Sequence, residues 1–134
     1  MATLMGCSSS DDEEELVLPE IANQFETEVV WQESIGSGVE HYFSRLSPAV
    51  YKDTVYVASR EGQVEALSLA NGDTLWETDV RHDLSFWPWS DNDSAKLSGG
   101  ILQAYGKIYL GSEHGYVIAL DRETGKEVWR KKVP

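Results

Sequence analysis

The chain has 134 residues, of which 23 are acidic and 11 are basic, and its formal net charge is −12. This charge argues against a nucleic-acid backbone or an anionic lipid surface as the main partner, because both would repel the chain. The single cysteine, Cys7, excludes an internal disulfide and a cysteine-rich metal site. No stretch of the sequence approaches the roughly 20 apolar residues that a membrane-spanning helix needs.

The first residues contain a short motif around that cysteine. Leu4-Met5-Gly6-Cys7, followed by Ser8, resembles a bacterial lipobox, in which the small residue before the cysteine lets a signal peptidase reach the backbone. The cysteine then carries acyl chains, and two or more such chains hold a protein stably on a membrane. We therefore expect residues 1–7 to be the remnant of a lipoprotein signal peptide and Cys7 to be the lipidation site. Since only six residues precede Cys7, we also expect the chain to begin inside its own signal sequence.

An acidic segment follows the motif. Residues 1–28 contain eight acidic side chains and no Lys or Arg, and the acids at positions 11–15 are consecutive. Like charges and serines bury little surface. We therefore expect residues 8–24 to form a flexible, disordered tether that ends at a folded domain.

The rest of the chain repeats itself without a gap. Residues 55–76 match residues 108–129 at an offset of 53 positions, and the matched positions include two glycines and a tryptophan in each copy. Trp31 is typical of the end of an earlier unit, because it lies 45 positions before the first of these tryptophans. The residues predicted to carry the structural repeat are Trp31, Trp76, Trp129, Gly72 and Gly125.

Each repeat is predicted to contain four short antiparallel strands. Residues 55–58 are β-branched or aromatic, and residues 63–67 alternate between polar and apolar, as a half-buried strand does. Glu61-Gly62 and Asn71-Gly72 suit the hairpin turns between them. Four-stranded units at this spacing are blades of a β-propeller. The sequence therefore predicts an all-β fold: a partial propeller over residues 25–134, with blades at about 47–81 and 98–133 and one closing strand around Trp31.

The spacing of 53 residues is long for a blade, and the excess lies between the two blades, in residues 81–97. This insertion contains Phe86, Trp87 and Trp89 around a proline, followed by Ser, Asn and Asp residues that argue against a central strand. Such aromatic side chains can form a partner-binding loop, because tryptophan is common among binding hot spots. They can equally fold down and cover the edge of a blade. The sequence leaves both interpretations open.

The repeat resembles a known family. Residues 119–129, ALDRETGKEVW, are similar to the repeat of quinoprotein-type (PQQ-like) propellers, A-L-D-x-x-T-G-x-x-x-W, and residues 66–76 are a weaker copy. In that family the tryptophan packs between neighbouring blades, so the resemblance implies a structural role for Trp76 and Trp129. Enzymes and non-enzymes share this repeat, so it indicates fold more than function.

A closer resemblance is to the BamB family, the propeller lipoproteins of the outer-membrane β-barrel assembly machinery. It is carried by the lipobox and by residues 23–25, 35–39, 42–49, 97–100 and 108–113. The resemblance implies a non-catalytic scaffold without a cofactor, anchored through Cys7 to the periplasmic face of the outer membrane of a Gram-negative bacterium. It implies that the scaffold binds the barrel subunit BamA and assists the insertion of β-barrel proteins. The main contact with BamA is expected beyond residue 134, because in the family these contacts lie mainly on loops of later blades.

Two alternatives stay open at this point: a fragment of a quinoprotein dehydrogenase, or a propeller lipoprotein with the same repeat and a different partner. A dehydrogenase needs a quinone, a catalytic aspartate and a calcium ion with six to eight converging oxygen ligands. Residues 91–93 offer three oxygen-bearing side chains in a row, but neighbours in sequence point apart. His41, His82 and His114 lack the spacing of metal ligands. We therefore expect no catalytic, cofactor-binding or metal-binding residue.

Overall fold

The computed structural model describes residue 22 and residues 25–38, 41–81 and 94–134. These residues form β-strands and no helix, which confirms the predicted all-β class. The strands are β1 (Arg45–Leu46), β2 (Ala49–Tyr51), β3 (Thr54–Ala58), β4 (Gln63–Ser68), β5 (Thr74–Asp79), β6 (Leu97–Ala104), β7 (Lys107–Ser112), β8 (Tyr116–Asp121) and β9 (Glu127–Lys132). None of the described segments is a helix that is long and apolar enough to cross a membrane.

The first blade is a four-stranded antiparallel sheet in the order β2-β3-β4-β5. Val55 pairs with Leu67 and Tyr56 with Ala66, so apolar side chains oppose one another across the two central strands. These side chains are buried, whereas most of β5 is exposed. The alternation in residues 63–67 predicted a half-buried strand, and this was wrong for β4. Its four consecutive residues 64–67 are all buried, and because successive side chains point to opposite faces, the strand is buried on both faces of the sheet.

The second blade, β6 to β9, has the same antiparallel order and one additional strand. The two-residue strand β1 pairs with β6 in parallel, with Arg45 opposite Gly99 and Leu46 opposite Gly100, so this sheet has five strands. The backbone N–H of Ser47 donates to the carbonyl oxygen of Gly100 at 2.9 Å, next to this pair. Two residues cannot show a periodic pattern, and for this reason the strand was absent from the sequence prediction.

The structure also differs from the prediction around Trp31. Residues 26–35 have no strand assignment, because none of the described residues supplies a ladder partner for them. The segment contacts the first blade through side chains instead, as the contacts of Trp31 show below.

The two blades share one hydrophobic core. Val64 and Val80 of the first blade pack with Leu97, Leu110, Ile118 and Leu120 of the second blade, and all of these side chains are buried. A smaller cluster joins Tyr56 and Ala66 to Ile108. Burial of apolar surface is the main favourable term in folding, so the junction between the blades holds them in one arrangement.

Several predictions concern residues outside the described part of the chain. These are the signal-peptide remnant with Cys7, the tether apart from residue 22, and the aromatic residues Phe86, Trp87 and Trp89.

Candidate functional site: the blade junction and the exposed faces

Trp76 of the first blade is docked on a turn of the second blade. Its indole Nε1–H donates to the carbonyl oxygen of Arg122 at 3.0 Å. The ring lies so close to Gly125 that a Cβ there would be 2.5 Å from Trp76 Cε3, and Gly125 has a φ of +70°. Thr78 adds a second link by donating its hydroxyl to the carbonyl oxygen of Gly125 at 2.8 Å. Only glycine combines this backbone conformation with such a close approach.

The turn that receives Trp76 is shaped by Asp121. Its Oδ1 accepts hydrogen bonds from the backbone N–H of Thr124 at 2.9 Å and from the Thr124 hydroxyl at 2.8 Å. These hydrogen bonds from Thr124 lower the pKa of the Asp121 carboxyl below its usual value. The Asp-x-x-Thr-Gly part of the repeat is therefore a turn motif that presents Gly125 to the neighbouring blade.

Trp31 makes the same contact one blade earlier. Its Nε1–H donates to the carbonyl oxygen of Leu69 at 2.9 Å, and a Cβ on Gly72 would lie 2.9 Å from Trp31 Cε3. Leu69 and Gly72 precede the residues that receive Trp76 by 53 positions each. Trp31 therefore occupies on the first blade the place that Trp76 occupies on the second.

Trp129 is the third tryptophan of the series. It packs beside Tyr109 with ring centroids 6.0 Å apart, the same separation that joins Tyr56 and Trp76. Trp129 is 40% exposed, and no turn of the described residues is docked on it. The face of the second blade that carries Trp129 is therefore open within the described part of the chain.

Charged side chains also join the two blades. Arg60 forms a two-pronged ion pair with Glu113, with donor–acceptor distances of 2.5 and 3.0 Å, and this pair lowers the pKa of Glu113. Arg60 is buried and its guanidinium lies 4.2 Å from the centroid of the Tyr42 ring. Arg130 donates to the carbonyl oxygen of Val80 at 2.8 Å.

Sequence reasoning missed the Arg60–Glu113 pair. The two residues stand at the same position of the repeat, 53 residues apart, and opposite charges at one repeat position were a usable signal. The opposite charges are visible in the sequence. The repeat alone does not tell which positions of neighbouring blades face each other, so their contact is known only from the structure.

At one position of the repeat, the first blade has a buried acidic residue and the second blade has a buried apolar residue. Glu65 stands at the repeat position of the fully buried Ile118, and it is itself 8% exposed. Gln63 donates from Nε2 to Glu65 at 2.8 Å and to Glu77 at 3.0 Å. Burial, together with the charge of Glu77, raises the pKa of the Glu65 carboxyl.

We predict that Glu65→Gln stabilises the chain at neutral pH. Because the folded-state pKa of Glu65 lies above the unfolded value, the wild type loses stability as the pH rises through the two pKa values. Glutamine keeps the hydrogen bond from Gln63 and has no charge to bury. We therefore expect a higher melting temperature for Glu65→Gln at pH 7.5 and a much smaller difference at pH 4, measured by circular dichroism.

Glu123→Gln is the control, because it removes the same charge from a side chain that is 81% exposed. It should change the melting temperature little at either pH. A loss of stability in Glu65→Gln that is larger at pH 7.5 than at pH 4 would contradict the predicted sign.

Across the described residues, no three or more His, Cys, Asp and Glu side chains come together as a metal-binding group. Arg60 and Glu113 form an ion pair that joins the two blades. The contacts described above join the two blades. Beside this junction, the exposed faces and edges of the blades are the surfaces that a partner could reach.

Comparison with known proteins gives the family. The family model described as "Outer membrane protein assembly factor BamB" matches residues 22–85 and 87–134. The curated protein of that name from Yersinia pestis is 39% identical over 137 residues, which cover 99% of this chain and 34% of the relative. The one from Alteromonas naphthalenivorans is 43% identical over 146 residues, covering 98% of this chain and 35% of the relative. The Escherichia coli K12 protein is 37% identical over 134 residues, 97% of this chain and 33% of the relative.

Solved structures include two kinds of similar protein. The structure of BamB from Moraxella catarrhalis covers 60% of this chain and 21% of its own, with 17% identity and a TM-score of 0.47. The quinohemoprotein alcohol dehydrogenase from Comamonas testosteroni covers 67% of this chain and 13% of its own, with 28% identity and a TM-score of 0.49.

The chain spans about a third of the length of the curated relatives that it matches. The match of the family model extends over both described blades and most of the segment that carries Trp31. The chain therefore belongs to the family of the outer membrane protein assembly factor BamB.

Proposed function

We propose that the chain is part of a non-catalytic scaffold that assists the insertion of β-barrel proteins into the outer membrane of a Gram-negative bacterium. The observation that carries this proposal is the family membership, which rests on identities of 37–43% over nearly the whole chain to proteins named as outer membrane assembly factors.

The mechanism that we propose is positional. The blade junction is closed by Trp76 on Gly125 and by the Arg60–Glu113 ion pair, so the two blades present their loops and edges in a fixed arrangement. A partner that binds such a preorganised surface does not have to order it first, which lowers the entropic cost of binding. This role requires no proton transfer and no bound cofactor.

The attachment that we propose is a lipid anchor on Cys7. The acyl chains would hold the protein on the periplasmic face of the outer membrane, and the acidic segment 8–24 would keep the blades away from the anionic surface. Ser8 after the cysteine resembles the sorting residue of lipoproteins that are sent to the outer membrane.

The partner that we propose is the barrel subunit BamA, with its main contact beyond residue 134. The aromatic insertion with Phe86, Trp87 and Trp89 is a further candidate for a partner-binding loop, because large aromatic side chains are common in binding hot spots. These residues lie outside the described part of the chain, so the proposal rests on their sequence.

Affinity purification tests this proposal. The complete reading frame that contains this chain is expressed with its signal and an affinity tag, membranes are solubilised in mild detergent, and co-purified proteins are identified by mass spectrometry. We expect the BamA subunit at near-equal amounts. Recovery of a quinone or calcium with the purified protein, and no barrel subunit, would contradict the scaffold role and indicate a dehydrogenase.

A Cys7→Ser variant, expressed behind the cleavable signal peptide of a soluble periplasmic protein, separates the anchor from the partner. We expect it to move from the membrane fraction to the soluble periplasm while it keeps its affinity for BamA in detergent. A variant that stays in the membrane fraction without added lipid mass would show that Cys7 is not the anchor.

A further inference from the structure

Basic residues are concentrated in the last strand of an otherwise acidic chain. Five of the 11 basic residues lie between positions 122 and 132, and three of them, Arg130, Lys131 and Lys132, are consecutive in β9. The net charge of the whole chain is −12, so the basic charge of this strand is opposite in sign to that of the chain. A local basic surface on an acidic protein orients an acidic partner toward one place.

The same strand forms the outer edge of the second blade. β9 pairs with β8 on one side, and no strand of the described residues pairs with its other side. Val128 is 50% exposed and both lysines are exposed. An open edge presents alternate N–H and C=O groups, and these can hydrogen-bond an added strand.

The side chains of β9 fit an acidic strand on both faces. Lys131 stands opposite Val117 and Lys132 opposite Tyr116, and successive side chains of a strand point to opposite faces of the sheet. A strand added along β9 would therefore have one lysine on each face. Arg130 is committed to Glu127 and to the Val80 carbonyl oxygen. The Lys132 ammonium lies 5.6 Å from the centroid of the Tyr116 ring, but both lysines are exposed and can meet an incoming segment.

The corresponding edge of the first blade has the opposite charge. β5 carries Glu77 and Asp79 and contains no basic residue. Arg81 pairs with Asp79, and its side-chain hydrogen bond lowers the pKa of that carboxyl. The outer edges of the two blades thus carry charges of opposite sign. An acidic segment would therefore be attracted to β9 and repelled by β5.

We propose that the outer edge of β9 binds an extended, acidic segment of a partner protein by strand addition, with Lys131 and Lys132 facing acidic side chains on the two faces of the added strand. This proposal goes beyond the assembly role and stands without the lipid anchor or BamA. Its alternative uses are a contact with anionic lipid and protection of the edge, since lysines on edge strands also prevent self-association.

The test is a fluorescence anisotropy titration of the chain with three labelled ten-residue peptides at 0.15 M NaCl. The first peptide has β-branched residues and adjacent glutamates, the second has lysines in place of those glutamates, and the third is the acidic peptide N-methylated at alternate residues. N-methylation keeps the charge and removes ladder hydrogen bonds. We expect the acidic peptide to bind, and the other two to bind at least about tenfold more weakly, which corresponds to about 1.4 kcal/mol.

Variants assign the binding to the edge. Lys131→Glu/Lys132→Glu should weaken binding of the acidic peptide by about tenfold or more, and Lys131→Gln/Lys132→Gln by less, because the charges are removed but not reversed. Lys52→Glu/Lys107→Glu, which changes the same number of charges away from β9, should leave binding unchanged. Circular dichroism checks that each variant is folded.

Three results would overturn the proposal. Equal binding of the acidic peptide and its N-methylated form would show charge attraction without strand addition. Binding to vesicles with 30% anionic phospholipid, and to no peptide, would assign the edge to lipid. If the chain binds neither peptide nor vesicles, and Lys131→Gln/Lys132→Gln aggregates faster than the wild type, the lysines serve to prevent self-association of the edge strand.

Discussion

Replacing Trp76 with alanine is expected to lower the melting temperature of the chain by about 10 °C or more. The substitution removes a ring that is docked between the blades, packs beside Tyr56 and donates a hydrogen bond to the carbonyl oxygen of Arg122. Truncation of a packed tryptophan costs about 3–5 kcal/mol, and the Arg122 carbonyl would also lose its donor. Thermal unfolding followed by near-ultraviolet circular dichroism measures the effect.

Trp129→Ala is the matched control for this prediction. Trp129 has the same position in its repeat and packs beside the equivalent tyrosine, Tyr109, also at 6.0 Å. It is 40% exposed, however, and no described turn is docked on it. We expect it to lower the melting temperature by less than half as much. Equal effects of the two substitutions would show that docking between the blades contributes no stability.

Replacing Gly125 with alanine is expected to be the second most destabilising substitution. The residue has a φ of +70°, and the added Cβ would lie 2.5 Å from Trp76 Cε3 and 2.6 Å from Thr78 Oγ1. The left-handed conformation costs about 1–2 kcal/mol with a Cβ, and overpacking adds about 1–3 kcal/mol. Chemical denaturation measures the free energy of unfolding.

Gly106→Ala separates these two contributions. Gly106 has a φ of +72° and no atom within 4 Å of the added Cβ, so only the conformational cost applies there. The difference between the two substitutions then measures the close contacts of the added Cβ with Trp76 and Thr78. In the double variant Gly125→Ala/Trp76→Ala the combined loss should be smaller than the sum of the two single losses, because the added Cβ no longer clashes with the Trp76 ring. Full additivity would contradict the docking contact.

The sequence predicted the parts of the fold that depend on local pattern and on repetition. The strands of both blades were readable from the offset of 53 residues, and the same offset matched Trp76 with Trp129 and Gly72 with Gly125. The family resemblance supplied the idea that the tryptophan packs between blades. The backbone groups that receive Trp76, which are the Arg122 carbonyl and Gly125, became known only from the structure.

The remaining features depend on contacts that no local pattern encodes. β1 is two residues long and pairs with β6 more than 50 positions later, so neither periodicity nor turn chemistry could indicate it. Trp31 was expected in a strand, but within the described residues it contacts the first blade through its ring and its Nε1–H. Glu65 looked like the polar half of an alternating strand, and its burial became known only from the structure.

The scaffold role is tested most directly by complementation. A strain that lacks its own assembly factor is given the reading frame that contains this chain, and the amount of folded β-barrel protein in its outer membrane is measured by heat-modifiable gel mobility. We expect folded barrels to return to the level of the parent strain with the wild type, and to a lower level with Trp76→Ala. Folded barrels that stay at the level of the deficient strain, although the protein is present in the membrane in normal amounts, would contradict the scaffold role.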